Sequence, residues 1–163
     1  MTHKNKTTVT AETGKQELFI TREFEAPREL VFKAFGDPDL LVQWMGPRDM
    51  TIEIEKYDNK SGGSYRIINI DPKGNKFVFN GVVHEVAKPE RVIRTFEFEG
   101  LPERGHVALE IATFEPLGGK RSKLTVQSVF RSVEDRDGMV SSGMERGVVD
   151  SYNRLDELIE KGI

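Results

Sequence analysis

Any chemistry in this chain has to come from three histidines, many carboxylates and scattered arginines, because there is no cysteine to supply a thiolate or a disulfide. His3 stands in a polar N-terminal stretch and His106 near a turn, so neither marks a preformed site. His84 lies in a strand-like run beside Glu85. Neighbours on a strand point to opposite faces, so these two cannot work as a facing acid–base pair. No HxH or HExxH spacing offers a metal site, and no GxSxG, GxGxxG or phosphate loop is present. Gly118-Gly119-Lys120 reads as a hairpin turn. The sequence therefore assigns no catalytic residue, no metal ligand and no cofactor. Most carboxylates alternate outward on strands or occupy the polar side of a helix. Asp58 is placed either to pair with Arg66 or Lys60, fixing a strand connection, or to meet a ligand. Arg94 shares a strand face with Val92, Phe96 and Phe98. On a concave face its guanidinium would enter an interior and could meet an acidic ligand group; on a convex one it would be solvated. Alternation decides which residues share a face, but not which face is inside.

The elements that carry these residues follow from pattern. With 163 residues, 37% hydrophobic and 31% charged, the chain is long enough for one domain with a sizeable core. A net charge of -3 and a pI near 5.7 argue against a nucleic-acid partner. The densest basic cluster, Lys120-Arg121 with Lys123, follows a glycine pair and reads as a solvated hairpin end. The N-terminus lacks the apolar segment of a signal peptide and no run reaches membrane-spanning length, so a cytoplasmic location is the default expectation.

Residues 1–15 form a flexible tail, with Thr7-Thr8-Val9-Thr10 able to add a short edge strand, and residues 16–163 form the single domain. Alternation from Glu17 to Phe24 gives a strand. Pro27 then opens one short helix through Leu30, Val31, Ala34 and Phe35. Asp37-Pro38 caps a second through Leu40, Leu41 and Trp44, and Gly46-Pro47 stops it. Six further strands follow, at 50–54, 65–70, 77–86, 92–98, 107–114 and 124–130, separated by Gly- and Pro-bearing turns. Gly81 within the third of these suggests a bend or bulge. The fold class is α+β: a seven-stranded curved antiparallel sheet wrapped around a long C-terminal helix, with two short helices after the first strand.

That helix begins at a capping box of Ser132 and Asp135. Val140, Met144, Val148, Tyr152, Leu155, Leu158 and Ile159 fall within one arc of roughly 120° if it is continuous. Gly143, Gly147 and Ser151, four apart, form a small-residue strip along that arc. The strip permits either close packing or a kink, or leaves volume for a guest walled by Met139 and Met144.

Several segments together resemble a known family. They are Ile20–Pro27 with Leu30-Val31-Phe32, then Asp37-Pro38 and Gln43-Trp44-Met45-Gly46-Pro47. After these come Tyr57–Arg66, Gly81, Glu85-Val86 and Pro89–Thr95, with Ser142-Gly143-Met144 in the helix. In this order, over about residues 17–161, they resemble the SRPBCC superfamily (START-like, birch-pollen-allergen-like). Within it they are similar to the branch of homologues of the activator of heat shock protein 90 ATPase. The resemblance implies a helix-grip fold and a small lipophilic molecule, of unknown identity, held between sheet and helix. Trp44, Phe79, Arg94, Phe96, Met139, Gly143, Met144 and Gly147 are the candidate lining. It also implies two alternatives: a protein-partner role toward a chaperone or in stress response, and a cyclase- or hydrolase-like enzyme. Eukaryotic activators carry an additional N-terminal domain that engages the chaperone, for which 163 residues leave no room. Where this branch often has a second tryptophan stands Met45, which implies a softer pocket mouth.

Overall fold

The computed structural model describes residues 3–163. The expected tail includes Met1 and Thr2, which lie outside the described residues. The short edge strand β1 (Thr8–Thr10) pairs antiparallel with β2 (Glu17–Phe24). Two helices follow, α1 (Arg28–Gly36) and α2 (Pro38–Trp44), and then a run of strands: β3 (Thr51–Tyr57), β4 (Ser64–Ile70), β5 (Lys76–Ala87), β6 (Arg91–Phe98), β7 (Ala108–Pro116) and β8 (Ser122–Val129). The chain ends in α3 (Val133–Ser141) and α4 (Met144–Lys161). All eight strands form one antiparallel sheet in the order β1-β2-β8-β7-β6-β5-β4-β3. Strands β3 to β8 are a plain meander, and β2 closes onto β8. Helices α1 and α2 therefore carry the chain from β2 across the sheet to its far edge at β3.

The local signals explain these boundaries. Asp37 caps α2, accepting a 2.9 Å hydrogen bond from the Asp39 amide, with Pro38 in the first turn. Ser132 caps α3 by accepting from the Asp135 amide. The Asp135 carboxylate does not complete a reciprocal box; it turns to the His106 ring, 2.9 Å away.

The long terminal helix is in fact two. Ser142 ends α3, and Gly143, with φ +84°, opens α4 from the left-handed region that only glycine enters freely. The break takes Val140 off the shared arc and leaves it 41% exposed. From Met144 onward the stripe holds: Tyr152 and Leu155 are buried, and Met144, Val148, Leu158 and Ile159 pack against the core.

Alternation sorts the sheet cleanly. Leu18, Ile20, Arg22 and Phe24 on β2, and Ser122, Leu124, Val126 and Ser128 on β8, are buried on the concave side. Arg22 joins sheet to helix: its guanidinium pairs with Asp156 and donates to Asn153 Oδ1 at 2.9 Å. Beneath α1 and α2 the core is aromatic. Trp44 is 1% exposed and donates its Nε1–H to the Ala34 carbonyl. Phe35 packs edge-on against Trp44, Phe114 and Tyr152, and Phe24 against Tyr152.

Candidate functional site

The register of the sheet decides what Arg94 meets. Arg94 on β6 stands directly across from Glu110 on β7, and Glu110 across from Ser128 on β8. On its other side Arg94 pairs with Val83 of β5, which is 2% exposed, so Arg94 lies on the concave face. Its Nε is 3.7 Å from Glu110 Oε1. Its guanidinium carbon sits 4.4 Å above the Tyr65 ring, a cation–π geometry, and its Nη1 donates to the Tyr57 hydroxyl at 3.3 Å.

This group is held by backbone. Tyr57 donates its hydroxyl proton to the Phe35 carbonyl, and Tyr65 donates to the Thr95 carbonyl. To reach Thr95, Tyr65 crosses over Gly81, its direct partner across β4 and β5. A Cβ at Gly81 would stand 2.0 Å from the Thr95 oxygen and 2.5 Å from the Tyr65 ring, so the position admits only glycine. The ladder irregularity falls just beyond, between Val83 and Glu85.

The electrostatics are those of a paired charge taken out of water. Burial works against the Arg94 cation, but Tyr65, Tyr57 and Glu110 around it outweigh that and hold its pKa above the ordinary value. Burial pushes the Glu110 carboxyl up, and Arg94 pulls it back only in part. Burial also raises Tyr65 and Tyr152. Even so, the Arg94 and Glu110 side chains keep 17% and 22% of their surface accessible.

Farther along β6 on the same face lies an aromatic trio. Phe79 stacks on Phe96 with centroids 5.3 Å apart and planes 23° from parallel, and Phe98 lies 5.2 Å from Phe79. All three are half-buried and stand outside the packed core. Two clefts open on the flanks. One of about 930 Å³ runs along α1 between Leu30, Phe32, Asn59 and Val86, and one of about 350 Å³ separates α2 from β3. Neither is lined by α4. Tyr57 belongs both to the smaller cleft and to the Arg94 group.

A family model described as activator of Hsp90 ATPase homolog 1-like protein matches residues 25–160. The chain belongs to that family. No curated protein matches it. Among solved structures, a Rhodobacter sphaeroides protein is similar at 21% identity and a TM-score of 0.86, over 96% of this chain and 99% of that one. Protein Ms6760 of Mycobacterium smegmatis is similar at 22% identity and 0.85, over 96% and 99%. The AHSA1 protein of Silicibacter pomeroyi is similar at 22% and 0.75, over 90% and 99%. At these identities the likeness carries the helix-grip fold and nothing finer.

Within this family fold the eight candidate residues separate. Trp44 offers no free surface. A Cβ added at Gly147 would stand 3.7 Å from the Pro47 ring, and Ser151 accepts the Gly46 amide at 2.8 Å while donating to the Gly147 carbonyl. That part of the small-residue strip thus seats the loop after α2, which Arg154 also grips through the Met45 and Gly46 carbonyls. Gly143 is exposed with open space around it. Met139 and Met144 are half-buried against the core. Arg94, Phe96 and Phe79 share the concave face.

Glu110, Tyr57 and Tyr65 were missed. The signal for Glu110 was present: it is the one charge in the inward series Ala108, Glu110, Ala112, Phe114, against the general expectation that carboxylates alternate outward. Of the other polar candidates, Asp58 contacts Lys60 at 3.8 Å, whereas Arg66 bonds Glu99 and Glu55. Glu85 accepts from Arg91 at 2.7 Å, and His84 is exposed. Among the described residues no cluster of three or more His, Cys, Asp or Glu is arranged to hold a metal, and no helix is long and apolar enough to cross a membrane.

Proposed function

We propose that this protein binds a small hydrophobic or amphipathic ligand between the concave face of the sheet and α4. One observation carries the reading: the charged pair Arg94 and Glu110 faces each other on the concave side of the sheet, yet both side chains keep accessible surface. Beside them Phe79, Phe96 and Phe98 present rings that the core does not use. An interior with aromatic walls and few polar groups is the usual constitution of a small-molecule site. The test is titration with N-phenyl-1-naphthylamine, whose emission rises in apolar surroundings, alongside native mass spectrometry of protein taken from cells. Saturable one-to-one binding that Phe96→Ala weakens is expected, and a ligand at 100 times its Kd would add about 2.7 kcal/mol of stability. A linear, unsaturable response together with a guest-free mass would dispose of the proposal.

The family match favours a second reading, in which the domain modulates a chaperone ATPase. A purified Hsp90-type chaperone whose ATPase rate and sedimentation are unchanged by the protein would remove it.

A further inference from the structure

If the interior takes a ligand, as proposed above, its polar end can be specified. We infer that the site selects a neutral, flat aryl ligand whose head donates and accepts hydrogen bonds at once, such as a carboxamide. The head would dock against Arg94 and Glu110, and the ring would lie along Phe96 and Phe79.

The first ground is unused hydrogen-bonding capacity. A guanidinium has five N–H donors, and among the described residues Arg94 donates one hydrogen bond, at the long distance of 3.3 Å to Tyr57. Its Nε stands 3.7 Å from Glu110, beyond the roughly 2.7–3.2 Å of a closed N–H···O bond. Glu110 accepts none at bonding distance among the described residues. Free donors and a free acceptor therefore sit side by side on adjacent strands, directly across from one another. A primary carboxamide presents the complement: a carbonyl for Arg94 and an N–H for Glu110.

The second ground is charge. Arg94 and Glu110 cancel, and the other arginine on this face, Arg22, is committed to Asp156 and Asn153. A carboxylate head would compete with Glu110 for its only cation, and an ammonium head would compete with Arg94. Each would leave one buried charge without its partner, the costly arrangement in a low-dielectric interior. A neutral head leaves the pair intact.

The third ground is length. Phe96 is two residues from Arg94 on the same strand face, roughly 7 Å along it. A fused bicyclic ring spans about that distance, and Phe79 stacked on Phe96 gives it an aromatic wall.

Four probes with one ring system test this on the full chain near pH 7.5 by calorimetry or fluorescence: naphthalene, 2-naphthamide, 2-naphthoate and 2-naphthylmethylamine. The amide is expected to bind about tenfold more tightly than naphthalene, the yield of one or two net hydrogen bonds, and more tightly than either ion. Glu110→Gln, nearly isosteric, should reverse the order and make naphthoate preferred, because Arg94 is then an unopposed cation. Arg94→Met should erase the amide's advantage over naphthalene; circular dichroism checks its fold, and Glu110→Gln decides alone if it fails. An amide no better than naphthalene, or naphthoate preferred by the wild type, overturns the head assignment and leaves the cavity standing. If none of the four binds saturably, the cavity reading falls and this inference with it.

Discussion

The two ends of the concave face use the same residue types to opposite effect. Under α1, α2 and the C-terminal half of α4, the aromatic rings of Phe24, Phe32, Trp44, Phe114 and Tyr152 are buried, with Phe35 wedged among them. At the other end Phe79, Phe96 and Phe98 stack only on one another. What differs is the cover. Toward its C-terminus α4 supplies Tyr152 and Leu155, both buried, and Asp156 ties the helix to Arg22 of β2. Toward its N-terminus it begins at Gly143, in the left-handed region, and carries Gly147. Large side chains of α4 cover one end, whereas its small residues Gly147 and Ser151 seat the loop after α2. Rings that are core at one end are only half-buried at the other.

The sharpest contrast should come from truncating one ring in each half. Trp44→Ala is expected to cost about 3–5 kcal/mol in urea unfolding, because it empties a packed volume and orphans the Ala34 carbonyl. Phe96→Ala should cost roughly 1–2 kcal/mol while weakening probe binding. Equal costs would mean that the two halves are packed alike. Next in size is Gly81→Ala, expected at about 1–3 kcal/mol, since the added methyl meets the Tyr65 ring and the Thr95 carbonyl. It should also weaken binding of 2-naphthamide by displacing the ring beneath Arg94; a loss of stability with binding unchanged would separate Tyr65 from the site.

At the open end of α4, Gly143→Ala meets no neighbour but forces an alanine into φ +84°. A loss of about 1–2 kcal/mol in thermal melting is expected. No loss would show that α3 and α4 can run on as one helix. The smallest effect contrasts the two faces of the sheet at adjacent strands. Glu97, on the convex side of β6, is held down to about 2 by Arg104 and the Gly105 amide, while Glu110 on the concave side is pushed up. A depressed carboxylate contributes stability that is present above its unfolded value near 4.5 and lost as pH falls through about 2. Glu97→Gln should therefore be less stable than wild type by about 1 kcal/mol at pH 7, discounted for the exposure of Arg104, and equal to it near pH 2. A raised carboxyl works the other way, and Glu110 should cost stability as pH rises through its folded pKa. Urea midpoints across pH for wild type, Glu97→Gln and Glu110→Gln check both signs.

Much of the fold was legible in the sequence because it rests on local rules. The cap at Asp37, the stop at Gly46-Pro47 and the period-two runs from Glu17 onward needed no distant partner. Legibility ended where two distant segments met. A continuous arc from Val140 to Ile159 was a fair reading of periodicity, yet the backbone turns at Gly143, where a conformation open to glycine costs little. Trp44, a candidate lining residue by sequence, proves to be a packed anchor whose indole N–H is bound to the Ala34 carbonyl. Glu110 was overlooked because a single inward charge reads as noise until its cation is known.

The chain by itself determined the order of elements, the pairing of side chains with faces and the membership of Arg94 in an otherwise apolar row, since these follow from steric rules acting over a few residues. Which face is inside, that Arg94 stands opposite Glu110, and that the rings at one end are buried while Phe79, Phe96 and Phe98 stay half-buried were decided only by tertiary structure. The reason is that register and curvature are properties of strands packed together, and no short stretch of sequence carries them.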